Sequence, residues 1–296
     1  MDNLRGSALM VASMLGFALE DTFIKQLAAT LPMGQVLALL GCGGVLLFGA
    51  LARLGGRPVL SRAVFSRAVL LRNGGEMLGS AAFVTALALT PLSTAAAILQ
   101  ATPLAVTLGA ALFLGETVGW RRWTAIGAGF AGVLLVIQPG LAGFEPASLF
   151  AVVAVAGLAL RDLATRLVPA AVGSAQLSCW AFGALVPTGL LMLLVPGVDA
   201  AALTPPDLAR LGAAFVCGGF AYYAIVAAVR LGEVSVVVPF RYSRLVFAMA
   251  IGMVVFGERP DGPMLLGAAL IVGAGLYTIW RETRGRRPAA VAQGAG

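Results

Sequence analysis

Ten runs of about 20 predominantly apolar residues follow one another along this chain, and that is the length a helix needs to cross a hydrocarbon core. They fall at 6–28, 33–53, 69–90, 93–114, 122–139, 147–168, 174–195, 208–229, 234–256 and 262–281. The breaks between them are brief and carry Pro or Gly with charge, as in Gly55-Gly56-Arg57-Pro58, Gly115-Glu116 and Gly257-Glu258-Arg259-Pro260. Apolar residues make up 60% of the chain and charged ones 11%, with a mean hydropathy of +0.96. A soluble domain carries roughly a quarter charged residues, so this chain has too few to cover a water-facing surface. Lipid offers the backbone no hydrogen-bond partners, which leaves helices for runs of this length. The fold class is therefore all-α integral membrane. Arg5 ahead of the first run resembles a secretory signal, but Glu20, Asp21 and Lys25 would interrupt its apolar core and nine further runs follow.

Basic residues give the orientation. With the amino terminus in the cytoplasm, that side receives Arg5, Arg53, Arg57, Arg62, Arg67, Arg121, Arg122, Arg161, Arg166, Arg230, Arg281, Arg284, Arg286 and Arg287, which is 14 of the 20 Lys and Arg. Lys25, Arg210 and Arg259 fall near the other face, and Arg72, Arg241 and Arg244 lie within helices. Both termini are thus expected in the cytoplasm. The net charge of +7 reads as topology and attraction to anionic headgroups, not as a nucleic-acid footprint. The odd count of three cysteines (Cys42, Cys179, Cys217), without a CxxC, indicates neither a disulfide framework nor a metal site. The absence of histidine removes His-ligated metals and His acid–base chemistry, and no cofactor is expected. The preference for Arg over Lys, with Ala and Gly richness, suits a GC-rich bacterial genome and hence a bacterial inner membrane.

A shift of about 141–142 residues brings the sequence into register with itself. Gly16-Phe17-Ala18-Leu19-Glu20-Asp21 meets Gly157-Leu158-Ala159-Leu160-Arg161-Asp162, with Lys25 against Arg166 and Gln35 against Gln176. Further on, Ser93 meets Ser235 and Leu114-Gly115-Glu116 meets Phe256-Gly257-Glu258. Residues 1–140 form a first five-helix repeat and 147–281 a second, followed by a short basic tail at 282–296. An odd number of helices per unit makes the second copy enter the membrane from the opposite side. Such inverted repeats build many secondary transporters, with the substrate site near the midplane between the halves.

On these residues the chain resembles the drug/metabolite transporter superfamily, specifically the EamA type. The likeness covers essentially the whole chain and rests on Ala88-Leu89-Thr90-Pro91-Leu92-Ser93 through Pro103 to Gly115-Glu116, with Arg230-Leu231-Gly232-Glu233-Val234-Ser235 through Gly257-Glu258 as its counterpart. It implies a metabolite or amino-acid transporter, often an exporter, with a central cavity walled by the first four helices of each half. The aromatic amino-acid exporters are the subgroup compared first. Glu20-Asp21 in the first helix also resembles uptake carriers for nucleoside-like metabolites.

A charge at bilayer depth needs a partner or an aqueous cavity. Asp21 with Lys25, and Asp162 with Arg166, are spaced i,i+4 with the acid first, which reads as a self-neutralised pair repeated in both halves. Glu116 and Glu258 also recur, and read as hydrogen-bond acceptors at helix starts. Charges without a counterpart are better candidates, because a substrate is not two-fold symmetric. Arg241 aligns with Leu99, Arg244 with Thr102, Arg72 and Glu76 with Ala214 and Gly218, and Glu20 faces Arg161 with opposite sign. With helix centres near residues 17, 80 and 245, a rise of about 1.5 Å per residue puts Glu20 and Glu76 roughly 5 Å to either side of Arg244. All three reach one central cavity if the first, third and ninth helices line it.

The candidate substrate-binding residues are Arg241, Arg244, Glu20, Glu76, Gln100, Asn73, Tyr242, Trp180 and Tyr223. Either Arg241 or Arg244 would take a carboxylate through its guanidinium fork, and Glu20 or Glu76 an ammonium group or a proton. The competing reading is internal neutralisation, Arg72 with Glu76 and Arg241 or Arg244 with Glu20. Of the adjacent Tyr222 and Tyr223 at most one can face the cavity. Pro103 should leave a carbonyl free for water or substrate. Trp120, Trp123 and Trp280 read as interfacial anchors, and Gly75 with Gly79 and Gly127 with Ala131 as close helix contacts.

No P-loop is present, so an ion gradient, exchange or the substrate's own gradient must drive transport. The expected function is a secondary transporter of amino acids, aromatic or otherwise neutral, or related small metabolites, by alternating access and in the export direction. The alternatives are an uptake carrier or exchanger for nucleoside-like metabolites, or a passive channel. An enzyme is not expected: there is no histidine, Asp-rich metal motif or GxSxG. The expected partners are a small-molecule substrate and the bilayer, not nucleic acid, and a monomer is compatible with the architecture.

Overall fold

The computed structural model describes residues 2–56, 58–116, 118–140, 143–169, 171–231 and 233–285. Arg57, Gly232, Arg286, Arg287 and the tail from 286 onward lie outside the described residues, as do the side chains of Arg230, Ser235 and Arg284.

Among the described residues the chain is helical and makes ten crossings. The first half holds α1 (Asp2–Leu27), α2 (Met33–Leu54), α3 (Arg67–Leu89), α4 (Leu92–Leu99) with α5 (Thr102–Phe113) as one crossing, and α6 (Trp120–Ile137). The second holds α7 (Ser148–Thr165), α8 (Ser174–Met192), α9 (Pro205–Leu231), then α10 (Val234–Val237), a 3-10 turn at Val238–Tyr242 and α11 (Ser243–Phe256) as one crossing, and α12 (Gly262–Gly285). Eight of these are long and apolar enough to cross a membrane. The other two are α3, which carries Arg72 and Glu76, and α6, which opens with Trp120-Arg121-Arg122-Trp123. The molecule is a multi-pass membrane protein.

The fourth and ninth crossings are broken where the sequence suggests unbroken runs. Pro103 has no N–H for the Leu99 carbonyl. That carbonyl is not left free: it accepts the Thr102 hydroxyl at 2.7 Å. The ninth crossing has a similar hydroxyl-to-carbonyl bond at its break, Ser243 Oγ donating to Phe240 O at 2.7 Å, although no proline stands four residues after Phe240.

Packing between the halves obeys the inverted symmetry. The main cross-half pairs are α1 with α9, α7 with α3, α2 with α8, and α6 with α12. Exchanging the halves turns the first pair into the second and returns the last two to themselves. Glycines set these approaches. At α7–α3, Gly157 lies against the backbones of Gly75 and Gly79, and at α1–α9, Gly16 lies against Cys217 O and Ala221. At α6–α12 the close contact is Gly132 against the Gly267 carbonyl, whereas Gly127 faces open space. The expected Gly127–Ala131 contact is therefore displaced along the helix.

The apolar core is off-centre. It gathers Ile24 and Leu27 at the end of α1, Val36, Leu37 and Leu40 at the start of α2, Leu87 at the end of α3, most of α4, and Ile137 at the end of α6. All of these lie toward the face opposite the one where α1 begins and α12 ends. The cavity occupies the half nearer the termini.

Candidate functional site

Two connected lobes make the cavity. The larger, about 700 Å3, is reached between the ends of α5, α7 and α12 and is lined by Thr107, Thr165, Arg166, Arg241, Gln100 and Tyr242 among others. The smaller, about 250 Å3, lies deeper and is walled by Phe17, Phe48, Phe83, Phe182, Phe215 and Tyr222 around Glu20 and Asp21. Phe17, Glu76, Arg161, Tyr222 and Arg244 border both. A polar entrance thus leads to an aromatic chamber holding carboxylates.

Arg244 stands at the junction. Its Nη2 donates to Asp21 Oδ2 at 2.6 Å and its Nε to the same oxygen at 3.2 Å. Its guanidinium carbon sits 5.2 Å from the centre of the Phe17 ring and 5.7 Å from that of Phe83, in cation–π range of both. The Asp21 side chain is 3% exposed, so the pair is well removed from water.

Neither i,i+4 pair expected along the first helix of each half forms. Lys25 instead donates to Leu87 O at 2.9 Å and to Thr90 O, filling carbonyls at the end of α3. Asp162 takes Arg161 Nε at 2.8 Å, and Arg166 reaches Glu116 Oε1 at 2.9 Å. The helical spacing was favourable, but carbonyls and acids on neighbouring helices lay within reach of both bases.

Glu76 is enclosed in a network. It accepts from Arg161 Nη1 at 3.5 Å and from Ser80 Oγ at 3.1 Å, with Arg72 Nη2 at 3.8 Å. Glu20 has no comparable partner among the described residues. Its carboxylate packs where α9 has Gly218 and faces the deep lobe. Arg241 likewise lies exposed to the larger lobe with no carboxylate within 4.0 Å among the described residues, while its carbonyl receives Gln100 Nε2 at 3.4 Å.

Three residues of the candidate set stand elsewhere. Trp180 is 7% exposed and donates its indole N–H to Val59 O at 2.7 Å, tying α8 to the loop after α2. Tyr223 is 72% exposed on the outer surface of α9, and it is Tyr222 that lines both lobes. Asn73 accepts from Arg72 at 3.3 Å and does not border the cavity. Arg241, Arg244, Glu20, Glu76, Gln100 and Tyr242 do border it. Asp21, Arg161 and Tyr222 belong with them and were not in the set. Tyr222 also shares a hydrogen bond with Ser178 at 3.0 Å and sets its ring edge-on to Phe48 at 5.2 Å.

Comparison with known proteins adds to this geometry. The sequence matches the EamA-like transporter family twice, over residues 4–138 and 146–280. The chain belongs to the EamA-like transporter family. Its relatives include a riboflavin transporter of Rhizobium johnstonii, 32% identical over 71% of this chain and 69% of that protein. An S-adenosylmethionine uptake transporter of Rickettsia bellii is 27% identical over 70% of each. A crystal structure shares the fold with a TM-score of 0.61 at 18% identity, covering 95% of this chain and 98% of the other. The chain is thus a membrane transporter of the drug/metabolite superfamily acting on a small molecule.

Proposed function

We propose that this transporter is an uptake carrier for a nucleoside-like metabolite, a planar heteroaromatic ring bearing a polar or charged tail. It works by alternating access in a bacterial inner membrane, with both termini cytoplasmic and the cavity open to the cytoplasm. The observation that carries the reading is the two-lobed cavity. Its larger lobe of about 700 Å3 falls in the size range of sites that enclose drug-sized ligands. An aromatic chamber around Glu20 suits a flat ring, and the polar lobe with Arg241, Gln100 and Tyr242 suits its tail. Two relatives are named for riboflavin and for S-adenosylmethionine, both compounds of this kind.

Amino-acid export is the second reading. Glu20 and Arg241, neither with an ion-pair partner within 4.0 Å among the described residues, favour it, since one would take the ammonium and the other the carboxylate of a zwitterion.

Counterflow in proteoliposomes separates these readings. Labelled riboflavin, S-adenosylmethionine, adenosine and phenylalanine are each offered against the same unlabelled compound. Saturable exchange of a ring-bearing metabolite, uncompeted by phenylalanine, is expected. Faster exchange of phenylalanine would install the amino-acid reading, and linear flux without saturation would install a channel.

A further inference from the structure

At the face opposite the termini one side chain crosses between the halves. Glu258, in the α11–α12 loop of the second half, accepts from Ser93 N at 3.0 Å, from Ser93 Oγ at 2.6 Å and from Leu92 N, all at the start of α4 in the first half. A carboxylate there satisfies backbone donors that the helix itself leaves unbonded and meets the positive end of its dipole.

The inverted copy of this element lies at the terminal face, in the same local geometry. Gly257 has φ 65° and Gly115 φ 68°, both left-handed. The amide of Glu258 donates to Gly252 O at 3.0 Å, and that of Glu116 to Ala110 O at 3.2 Å, each six residues back. The backbone therefore presents both acids alike, yet their partners differ. Glu116 is half exposed and holds Arg166, while the residue aligned with Arg166, Lys25, has turned to the carbonyls of Leu87 and Thr90. One face shows an acid on a helix start and a base on carbonyls; the other shows the acid and base on each other.

We propose that Glu116 and Glu258 are alternating latches for the two faces of the carrier. In the state open to the far face, Glu116 leaves Arg166 for the backbone N–H groups of Val234 and Ser235, the counterparts of Leu92 and Ser93. Glu258 then leaves α4 for Lys25, and Arg166 takes carbonyls at the end of α9. The two states contain the same set of bonds on exchanged faces, so the exchange of bonds favours neither strongly. A carrier needs that near balance, because a strong preference would trap it on one side.

The test needs no substrate, so an error in the substrate reading leaves it intact. Two reporters are introduced singly into the full chain in membranes. Thr94→Cys lines the shallow hollow beside Glu258, and Thr165→Cys lies at the open mouth of the large lobe. Labelling by a hydrophilic thiol reagent is measured over the background of the chain's own Cys42, Cys179 and Cys217. Glu258→Gln should raise labelling at Thr94→Cys and lower it at Thr165→Cys, each by about threefold or more. Glu116→Gln should do the reverse. Its acid is solvent-exposed, so this variant tests the idea even if Glu258→Gln does not fold. Shifts in the same direction for both variants, or unchanged labelling in Glu116→Gln, would overturn the proposal.

Discussion

Where α1 meets α9, and where α7 meets α3, the chain builds one corner twice and charges it differently. In both corners a glycine near the middle of the first helix of the half lets two backbones touch, Gly16 in one and Gly157 in the other. Four residues on, the α7–α3 corner places Arg161 against Glu76, with Asp162 and Arg72 completing a closed network. At the same place in the α1–α9 corner Glu20 meets Gly218, and among the described residues no base lies within 4.0 Å of its carboxylate. The neighbouring acid Asp21 is held by Arg244 from α11. The scaffold thus supplies two equivalent positions, and leaving out one partner turns a structural ion pair into an open carboxylate. Substrate recognition is expected at the corner whose charges do not close.

The most severe way to break the comparison is to remove Arg244. Its loss leaves Asp21 charged, 3% exposed and unpaired, which costs about 3–5 kcal/mol for a buried pair. Arg244→Leu should lower the melting temperature in detergent and abolish transport, whereas Arg244→Leu with Asp21→Leu should recover much of the stability and none of the transport. Equal melting temperatures for the wild type and the single variant would show that Asp21 has another partner. Glu20→Gln comes next. The open corner predicts a tenfold loss of transport, equivalent to about 1.4 kcal/mol, with a melting temperature close to wild type because no partner is orphaned. A large drop in stability would mean that Glu20 serves the fold.

The third test strikes the closed corner. Glu76→Gln removes the acid between Arg72 and Arg161 and should cost about 1.5–3 kcal/mol, as for other hydrogen bonds to charged groups. Transport per folded molecule should fall less than in Glu20→Gln. Liposome flux normalised to correctly folded protein checks this, and a reversed order would move the substrate site to α3–α7.

The crossings and the repeat could be read from the sequence because lipid imposes a length on every apolar run, and because polar residues such as Gly-Glu recur in order. Glu20 was legible for the same reason: its counterpart Arg161 has the opposite sign. Asp21 was not. Its partner Arg244 lies 223 residues away, while Lys25 stands one turn on and satisfied the local rule. Only the fold reveals that Lys25 points instead to carbonyls at the end of α3. The break at Thr102-Pro103 was visible as a proline, but whether its carbonyl stayed open depended on the Thr102 rotamer.

The adjacent tyrosines of α9 give the smallest and most discriminating test. Successive residues on a helix point about 100° apart, so the fold separates them fully: Tyr222 borders both lobes, while Tyr223 is 72% exposed on the outer surface. Sequence could not choose between them, since α9 is apolar on every side and shows no face. Tyr222→Phe removes the hydrogen bond to Ser178 but keeps the ring against Phe48. A net loss of about 1 kcal/mol is expected for one such bond, seen as a roughly fivefold weaker apparent affinity if the Ser178–Tyr222 pair orients the substrate. Tyr223→Phe should leave affinity and melting temperature unchanged. If instead Tyr223→Phe weakens affinity while Tyr222→Phe does not, the substrate travels along the outer surface of α9, and the corner between α1 and α9 is not where it binds.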